Sequence, residues 1–528
     1  MSGGPAGEEE KTRGAAAFSR ELWAVAALVG WALGMTALLD RSSYGLDEAT
    51  ARVVLLLWSV SDQVPAPIVT LGVPDFRALF LAPAGIVFSG SLLAVKICTL
   101  LIYLAAVVGA YRWRMRQGDA ESPLLASGLL LIAPIAARVV DRVDVAPFLL
   151  FGLMLGAWAQ EIYRETRARF GGWYFAQLLL CLALTTLHPA GVAYPVLLAA
   201  SWLRGAGAQP GSPVGVIPGG ERTHVLIGIG IATGAGLLLS WGWPQQHWFG
   251  NPLAALPREL FGLEPQTDAG ENLVLVLGAV LFTALAAVLW LSRREWRQDA
   301  LGRYLVAALA ICALCGDRSF ALLALALLLH WGFPLLLRVR LGTASGFAGQ
   351  RGVAFALLLV LSTAFLVADR ARYAELQREP QLSAQDRLIR ILAEDVQRSS
   401  QQAAANAQPG RVSREDKARS GPRVASQWPG RTMIACRCST LPLPPANEEP
   451  ERFTAYLRGI SYVLFDPREP ANRELSRSFS RLAGNVAETM ALEEGGVVLR
   501  LHTEAVADHP PEDDEAGPPP APARKPAD

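Results

Sequence analysis

Charged side chains are scarce in this 528-residue chain, where Asp, Glu, Lys and Arg together make up only 18% of the sequence. Hydrophobic residues reach 52%, which is too apolar for a soluble protein of this size. The formal net charge is only +1, so no overall electrostatic attraction favours a nucleic-acid partner. These deficits argue against a soluble enzyme or a nucleic-acid-binding protein, and they favour an integral membrane protein.

Cysteine and histidine are also rare, with 6 residues of each. Most of the cysteines lie in apolar segments, where a thiol behaves as a small hydrophobic group. Cys436 and Cys438 lie in a polar region, where a disulfide across one residue is expected to be strained and two thiols alone make no zinc site. Their role is left open. The sequence contains no Walker motif and no serine-nucleophile signature, and it requires no metal or cofactor.

Long apolar segments dominate the first 370 residues. Crossing the hydrocarbon core takes roughly 20 apolar residues, and hydropathy predicts about eleven transmembrane helices here. Two pairs of segments are interrupted only by His188-Pro189 and by Gly316-Asp317-Arg318, so each pair can also be interpreted as one bent element. The predicted spans are 21–39, 91–111, 123–138, 145–160, 173–188, 190–203, 224–243, 273–292, 303–316, 319–337 and 353–369.

The distribution of arginine predicts the orientation of these spans. If the N-terminal tail 1–20 is cytoplasmic, every predicted inner loop is basic, in agreement with the positive-inside rule. An odd number of spans then places the C-terminal region outside. The basic residues of the inner loops are Arg112, Arg114, Arg116, Arg164, Arg167, Arg169, Arg204, Arg222, Arg293, Arg294, Arg297, Arg303, Arg338, Arg340 and Arg351.

The regions outside the spans divide the chain further. The outer loop 40–90 contains two short apolar helices, 49–60 and 76–88, which suit the membrane interface. The transmembrane module 21–370 is followed by an amphipathic helix (371–398) and a linker (399–430), then by a small α/β domain and a disordered tail, 431–503 and 504–528. Within the α/β domain we predict strands at 432–436, 462–465 and 497–501 and helices at 451–458 and 473–482.

The acidic sequence Asp47-Glu48-Ala49, just after the first span, is the most informative feature of the chain. Carboxylates beside a bilayer are costly unless they face water or a partner, so they are candidates for a functional site. A carboxylate within hydrogen-bond reach of a hydroxyl can act as a general base. In the alternative interpretation, Asp47 caps the helix that follows and Glu48 is a first-turn acid favoured by the helix dipole.

A second charged cluster, between Arg138 and Asp144, is predicted at the outer end of the third span. Arg138 or Arg142 suits a carrier phosphate, because a planar guanidinium matches its geometry. Asp141 or Asp144 suits contacts with sugar hydroxyls. The alternative is a set of surface ion pairs, which contribute little to stability.

The two breaks between apolar segments supply the last candidates. His188 can donate a hydrogen bond to a phosphate, or it can cap the kink at Pro189. Arg318 is a second candidate for phosphate binding, and the alternative is a local ion pair with Asp317.

Taken together, these stretches resemble bacterial members of the GT-C fold glycosyltransferases, in particular the aminoarabinose-transferase and protein O-mannosyltransferase-like group. His188 stands where many relatives have a lysine. The expected fold is therefore a multi-span α-helical membrane protein, GT-C-like, with a small extracytoplasmic α/β domain. The resemblance covers most of residues 20–502 and is carried by Asp47-Glu48-Ala49, 88–97, 182–191, 462–466 and 497–501.

The resemblance implies an enzyme of the bacterial inner membrane. Such enzymes move a sugar from a polyprenyl-phosphate carrier to a lipid, polysaccharide or protein acceptor on the periplasmic face, commonly without a metal. Asp47 would act as the base or orient the acceptor hydroxyl, and Glu48 would help to hold the acceptor. Two other functions stay open: a transporter or flippase of lipid-linked sugars, which predicts inverted internal repeats, and an inactive relative that serves as a scaffold subunit.

Overall fold

The chain separates into two compact units in a computed structural model. The first unit takes its residues from 1–42 and 53–380, and the second from 43–52 and 381–528. We call them the helical unit and the C-terminal unit. The structure describes residues 27–39, 43, 46–59, 77–88, 91–116, 121–166, 172–203, 219–239, 251–261, 268–332, 334, 359–371, 373–374, 383–406, 422–444, 456–469, 472–481, 487–493 and 496–502.

Within its described residues the helical unit contains only helices. The boundary between the units falls inside the second helix, whose first turn belongs to the C-terminal unit. The helices are α1 (Ala27–Ala37), α2 (Glu48–Ser59), α3 (Arg77–Val87), α4 (Leu92–Met115), α5 (Glu121–Ile132), α6 (Pro134–Asp141), α7 (Val145–Thr166), α8 (Gly172–Leu187), α9 (Ala193–Leu203), α10 (Gly219–Leu239), α11 (Pro252–Phe261), α12 (Asp268–Leu291), α13 (Arg293–Gln298), α14 (Ala300–Cys315), α15 (Ser319–Leu327) and α16 (359–371).

Several of these helices are long and apolar enough to cross a bilayer, which makes the chain a membrane protein. Among the described residues they number 3, or up to 4 if α5 and α6, bent by 55° at Pro134, count as one span. The bend follows from the proline, because the residue before a proline is disfavoured in the helical region. The predicted count of about eleven spans stays a prediction.

Both predicted breaks between apolar segments are confirmed. α8 ends at Leu187, where His188 turns extended before Pro189, and a 3₁₀ turn at Pro189–Val192 leads into α9. A side chain at Gly191 would lie 1.8 Å from the Leu184 carbonyl oxygen, so this turn requires glycine. α14 ends at Gly316, whose φ of 64° is the left-handed conformation typical of a helix C-terminus.

The C-terminal unit is built on a five-stranded sheet of order β2-β1-β3-β5-β4. β1 runs parallel to β2 and β3, whereas β5 is antiparallel to β3 and β4. Its elements are α17 (Ala384–Asn406), β1 (Arg423–Ser426), α18 (Pro429–Cys436), β2 (Ser439–Pro442), β3 (Tyr462–Phe465), α19 (Arg473–Arg481), β4 (Ala487–Glu493) and β5 (Gly496–Leu501).

Apolar side chains cover the two faces of this sheet. On one face, Leu388, Leu392 and Val396 of α17 pack against Leu464 and Val498. On the other face, Leu475 and Phe479 of α19 pack against residues that include Val463, Phe465 and Leu499. The result is a three-layer α/β/α arrangement, as expected for an α/β unit.

Two predicted elements of the C-terminal unit are wrong. The strand expected at 432–436 is part of α18, and the linker expected at 399–430 contains the end of α17 and the whole of β1. The amphipathic helix begins at Ala384 in the described residues rather than at 371. The strands at 462–465 and 497–501 are confirmed, and so is the helix at 473–482 to within one residue.

Other predicted segments lie outside the described residues. These are the tails 1–20 and 504–528 and most of the helix expected at 451–458. The short interfacial helices expected at 49–60 and 76–88 are confirmed as helices by α2 and α3.

Cys436 and Cys438, which the sequence left without a role, are joined in a disulfide. Their Cα atoms are 5.2 Å apart, within the usual range for a bridged pair. Arg437 between them has a φ of 54°, and this left-handed turn brings the two cysteines together at the end of α18.

Candidate active site

Asp47 is the N-cap of α2. Its Oδ1 accepts a hydrogen bond of 2.6 Å from the backbone N–H of Thr50, and its backbone carbonyl accepts one of 2.9 Å from Ala51. The capping interpretation of Asp47 is therefore confirmed. The side chain is nevertheless exposed. An exposed carboxylate whose direction is fixed by a cap is well suited to meet a substrate hydroxyl.

Glu48 caps a different helix. Its Oε1 accepts a hydrogen bond of 2.8 Å from the backbone N–H of Gly430, and its Oε2 accepts one of 3.2 Å from that of Arg431. These are N–H groups of the first turn of α18, which have no partner within their own helix. The side chain of Arg52 lies 3.3 Å from the same carboxylate. The part expected of Glu48 in holding an acceptor stays a prediction.

Two opposing effects act on the pKa of the Glu48 carboxyl. Burial raises the pKa of this carboxyl above its ordinary value. The backbone N–H groups of Gly430 and Arg431 and the charge of Arg52 lower that pKa and partly offset the burial. The carboxylate is thus desolvated, and its negative charge depends on these donors for stabilisation.

The cluster between Arg138 and Asp144 lies in the helical unit and includes a buried ion pair. Lys96 Nζ of α4 is 3.6 Å from Asp141 Oδ1 of α6, and the two side chains are only 1% and 8% exposed. The interpretation of Asp141 as half of a surface ion pair is therefore wrong. Asp141 lies at the end of α6, whose apolar face packs inward and carries the carboxylate with it.

The two arginines of this cluster both contact α11. Arg142 Nη1 donates to both carboxylate oxygens of Glu259, at 2.8 and 3.1 Å. Arg138 Nη1 donates to the carbonyl oxygen of Arg258. These contacts orient both guanidinium groups, and their expected part in phosphate binding stays a prediction.

The backbone of this cluster is strained at Val143. Its φ of 51° is a left-handed conformation that β-branched residues rarely adopt. Arg77, which is 2% exposed, holds the turn by donating a hydrogen bond of 2.7 Å to the Val143 carbonyl oxygen. Asp144 then begins α7 by accepting a hydrogen bond from the Ala146 N–H at 3.4 Å. Strain of this kind is often found at functional sites.

His188 uses both ring nitrogens within the helical unit. Nδ1 accepts a hydrogen bond of 3.1 Å from the Ala190 N–H, and Nε2 lies 3.2 Å from Asp317 Oδ2. The interpretation of His188 as a cap for the kink is therefore confirmed. Burial alone would raise the pKa of Asp317, but His188 and the Ser319 N–H hold that pKa well below its usual range. The carboxyl group of Asp317 is thus ionised at neutral pH.

Arg318 does not pair with its neighbour. Asp317 contacts His188 instead, and among the described residues Arg318 forms no ion pair. Its side chain is exposed at the start of α15. The local-pair alternative is therefore wrong, and the guanidinium group is accessible to an anion.

His188 comes together at this turn with two side chains that lie near each other in sequence, Cys312 and Asp317. The potential ligand atoms of His188, Cys312 and Asp317 lie within 4.8 Å of one another. A zinc-bound histidine normally donates its other ring N–H to an acceptor. Here Nδ1 itself accepts an N–H, which places the proton on Nε2, the atom that faces Asp317. The hydrogen bonding of His188 therefore opposes metal binding.

We accordingly expect the purified chain to bind no stoichiometric zinc. The measurement is the metal content by mass spectrometry after equilibration with zinc and removal of the excess. Cys312→Ser, which removes the softest of the three ligands, serves as the comparison and should leave the metal content unchanged. One zinc per chain that is lost in Cys312→Ser would contradict this expectation.

Several residues that contact the predicted cluster were not predicted from the sequence. Lys96, Arg77 and Glu259 are partners of the predicted cluster, yet each is distant from it along the chain. For Lys96 a signal existed, because a lone lysine within the apolar span 91–111 is expensive unless it has a partner. Arg77 and Glu259 have no comparable pattern around them.

Comparisons with known proteins place the fold. No family model matches the sequence, and no curated protein matches it significantly. The crystal structure of ArnT from Cupriavidus metallidurans in the apo state is similar with a TM-score of 0.50 at 15% identity, over 93% of this chain and 99% of that one. ArnT bound to undecaprenyl phosphate gives 0.47 at 14% identity, over 90% and 97%. An oligosaccharyltransferase from Archaeoglobus fulgidus, tethered with an acceptor peptide, gives 0.43 at 14% identity, over 84% and 69%.

The likeness to apo ArnT extends over nearly the full length of both chains. ArnT is an aminoarabinose transferase of the GT-C fold. At 15% identity the likeness concerns the fold alone. The GT-C-like fold expected from the sequence is thereby confirmed, whereas the number of spans and the side of the membrane on which the α/β domain lies stay predictions. This chain has the fold of the GT-C membrane glycosyltransferases.

Proposed function

We propose that this chain is a glycosyltransferase of the bacterial inner membrane. It moves a sugar from a polyprenyl-phosphate-linked donor to a lipid, glycan or protein acceptor on the periplasmic face. The observation that carries the proposal is the exposed and capped carboxylate of Asp47, directly after the first apolar helix of a chain with the GT-C fold. The sequence resemblance to the aminoarabinose-transferase group supports the same reaction.

The reaction needs a base on the acceptor and a stabilised leaving group. Asp47 takes the proton of the acceptor hydroxyl, and the oxygen of that hydroxyl bonds to the anomeric carbon of the donor sugar. The bond between that carbon and the phosphate oxygen breaks, and polyprenyl phosphate leaves with the electron pair. The cap on Oδ1 supports this role, because a fixed carboxylate loses less entropy when it meets the acceptor.

A cationic group must then stabilise the departing phosphate. Arg318 is the best candidate, since its guanidinium group is exposed and Asp317 beside it is engaged by His188. Arg138 and Arg142 are further candidates, although each already donates to α11. Asp144 is retained as a candidate for contact with sugar hydroxyls. His188 contributes to this site by holding Asp317 rather than by binding phosphate itself.

The placement of the C-terminal unit outside the membrane has independent support. The Cys436–Cys438 disulfide belongs to that unit, and disulfides persist in oxidising compartments such as the bacterial periplasm. The positive-inside pattern of the sequence favours the same orientation.

Replacing Arg318 with glutamine should lower kcat/KM for the donor roughly 10- to 150-fold, because one charged hydrogen bond to phosphate contributes roughly 1.5 to 3 kcal/mol. The measurement is kcat/KM for the donor in membranes with matched protein levels. Arg112→Gln, which removes an exposed arginine from the opposite predicted face, is the control and should retain normal values. Equal behaviour of both variants would remove Arg318 from the phosphate site.

The proposal itself is tested by transfer of a labelled sugar from total polyprenyl-linked donors in membranes that contain the chain. An active transferase labels an acceptor and releases polyprenyl phosphate in equal amounts. A flippase would move the donor across the membrane without cleaving it, and a scaffold subunit would do neither. Movement of intact donor in the absence of labelled acceptor would overturn the proposal.

A further inference from the structure

The C-terminal sheet has the strand order at which other α/β proteins bind anions, and we call its edge at the end of β1 and the start of α18 the anion crevice. β1 is flanked by β2 on one side and β3 on the other, all three being parallel, so the strand order reverses at β1. In open α/β sheets, ligands bind outside the carboxyl ends of the strands at such a point. α18 begins three residues after β1 ends, and a helix N-terminus there favours a negative charge.

In this chain the negative charge at that crevice is Glu48. Each of its two oxygens accepts a hydrogen bond from one of the first N–H groups of α18, and the side chain is only 16% exposed. Glu48 precedes Gly430 by 382 positions, so this cap is a long-range contact. The segment 43–52, which includes Asp47, belongs to the C-terminal unit.

The helix that Glu48 caps, α18, also contacts α17 through the side chain of Arg431. Arg431 Nη2 contacts Asp386 Oδ1 of α17 at 2.5 Å, and both side chains are nearly buried, at 11% and 8% exposed. Arg431 Nη1 also donates to Gln385 Oε1 at 3.2 Å. Asp386 in turn accepts a hydrogen bond of 2.7 Å from the Ser383 hydroxyl. The start of α18 is thus tied to α17 and presents its N–H groups in a fixed direction.

We propose that Glu48 is a positioning residue whose carboxylate occupies the anion crevice of the C-terminal sheet and thereby fixes the orientation of the adjacent Asp47. The C-terminal unit therefore serves as the support for the base. This inference rests on the proposed function, since it assigns a purpose to the neighbour of the proposed base. It replaces the expected role of Glu48 in holding an acceptor.

Glycine at 430 leaves the room that this contact needs. A Cβ at that position would lie 2.9 Å from Glu48 Oε1 and 3.2 Å from Ala51 Cβ. Gly430→Ala therefore pushes the Glu48 carboxylate away without altering Glu48 itself. Two variants from opposite sides of one contact, Glu48→Ala and Gly430→Ala, should consequently behave alike.

The test measures sugar transfer and backbone hydrogen exchange in the full-length protein. In both variants we expect kcat to fall about 10- to 100-fold, because a displacement of about 1 Å at a base has effects of this size. The donor KM should stay within about twofold. The rate of backbone amide hydrogen exchange in residues 46–52 should rise. Glu394→Ala, which removes an exposed acid of α17, is the control and should change neither readout.

The other outcomes separate the possibilities. A raised acceptor KM in Glu48→Ala, with normal kcat and normal exchange, would show that Glu48 holds the acceptor and would overturn the inference. Unchanged exchange in 46–52 in both variants would overturn it as well. Because exchange is measured without substrate, the anchor is tested even if the wild-type chain transfers no sugar. Absence of transfer by the wild-type chain would contradict the proposed function but not the role of Glu48 as an anchor. Glu48→Gln, which keeps one acceptor oxygen, should give an intermediate effect.

Discussion

Replacing Asp47 with asparagine should reduce sugar transfer by roughly 10²- to 10⁴-fold, the range that a general base contributes. Asparagine has the same size and is as good an N-cap as aspartate, so the hydrogen bond from the Thr50 N–H should persist. What asparagine lacks is the ability to take a proton from the acceptor. The variant therefore separates the two interpretations of Asp47, as cap and as base. The measurement is the initial rate of transfer in membranes with matched protein levels.

Two companion variants make this result decisive. Asp47→Ser also preserves a capping oxygen and should be as inactive as Asp47→Asn. Asp47→Ala removes the cap as well, which should cost about 1 kcal/mol of stability in addition to the activity. Normal transfer by the asparagine and serine variants, with loss only in the alanine variant, would show that Asp47 serves as a cap alone. The base would then have to be sought among the other carboxylates, beginning with Asp141 and Asp144.

Local signals in the sequence predicted those parts of the fold that local physics determines. Tyr462–Phe465 is a strand because four consecutive apolar residues, all buried, end at a proline turn. The breaks at His188-Pro189 and at Gly316 follow from the backbone preferences of proline and glycine. The helix Glu48–Ser59 follows from an acidic N-terminus before an apolar run.

The wrong prediction for residues 432–436 has a different cause. Residues 432–436 have the β-branched and apolar character of a strand, yet they form a helix. Part of what favours the helix is Pro429 in its first turn, a local signal that was available. The cap supplied by Glu48 also favours the helix. Glu48 lies 382 positions away from Gly430, so this cap could not be inferred from any window around the helix.

The candidate site was likewise predicted only where the signal is local in sequence. Residue types and their spacing identified the cluster between Arg138 and Asp144, but not its partners. The interpretation as surface ion pairs was wrong for Asp141 because Lys96, from another helix, meets it in the interior. Which charges are buried depends on helix packing, and packing depends on side chains distributed over the whole unit.

Replacing Lys96 with methionine should destabilise the chain by about 3 to 5 kcal/mol, because it leaves the Asp141 charge buried without its cation. Asp141→Asn should have a comparable effect by leaving Lys96 without its anion. The double variant Lys96→Met/Asp141→Leu removes both charges and should recover much of the loss, since two apolar side chains can replace a buried pair at little cost. The measurement is the thermal unfolding midpoint of the detergent-purified protein.

The matched control is the ion pair between Arg116 and Glu161. Its atoms are closer, at 2.8 Å, but the side chains are 45% and 36% exposed. Glu161→Gln, which leaves the contact of Arg116 with the Trp158 ring in place, should therefore change stability by less than about 1 kcal/mol. If Lys96→Met proves no more harmful than this control, water must reach the Lys96–Asp141 pair. The two side chains would then line an accessible cavity rather than a packed interior, and Asp141 would become a stronger candidate for contact with the sugar. If the single variants are destabilised and the double variant recovers, the pair is structural. The candidates for substrate binding in the helical unit are then Arg138, Arg142, Asp144 and Arg318.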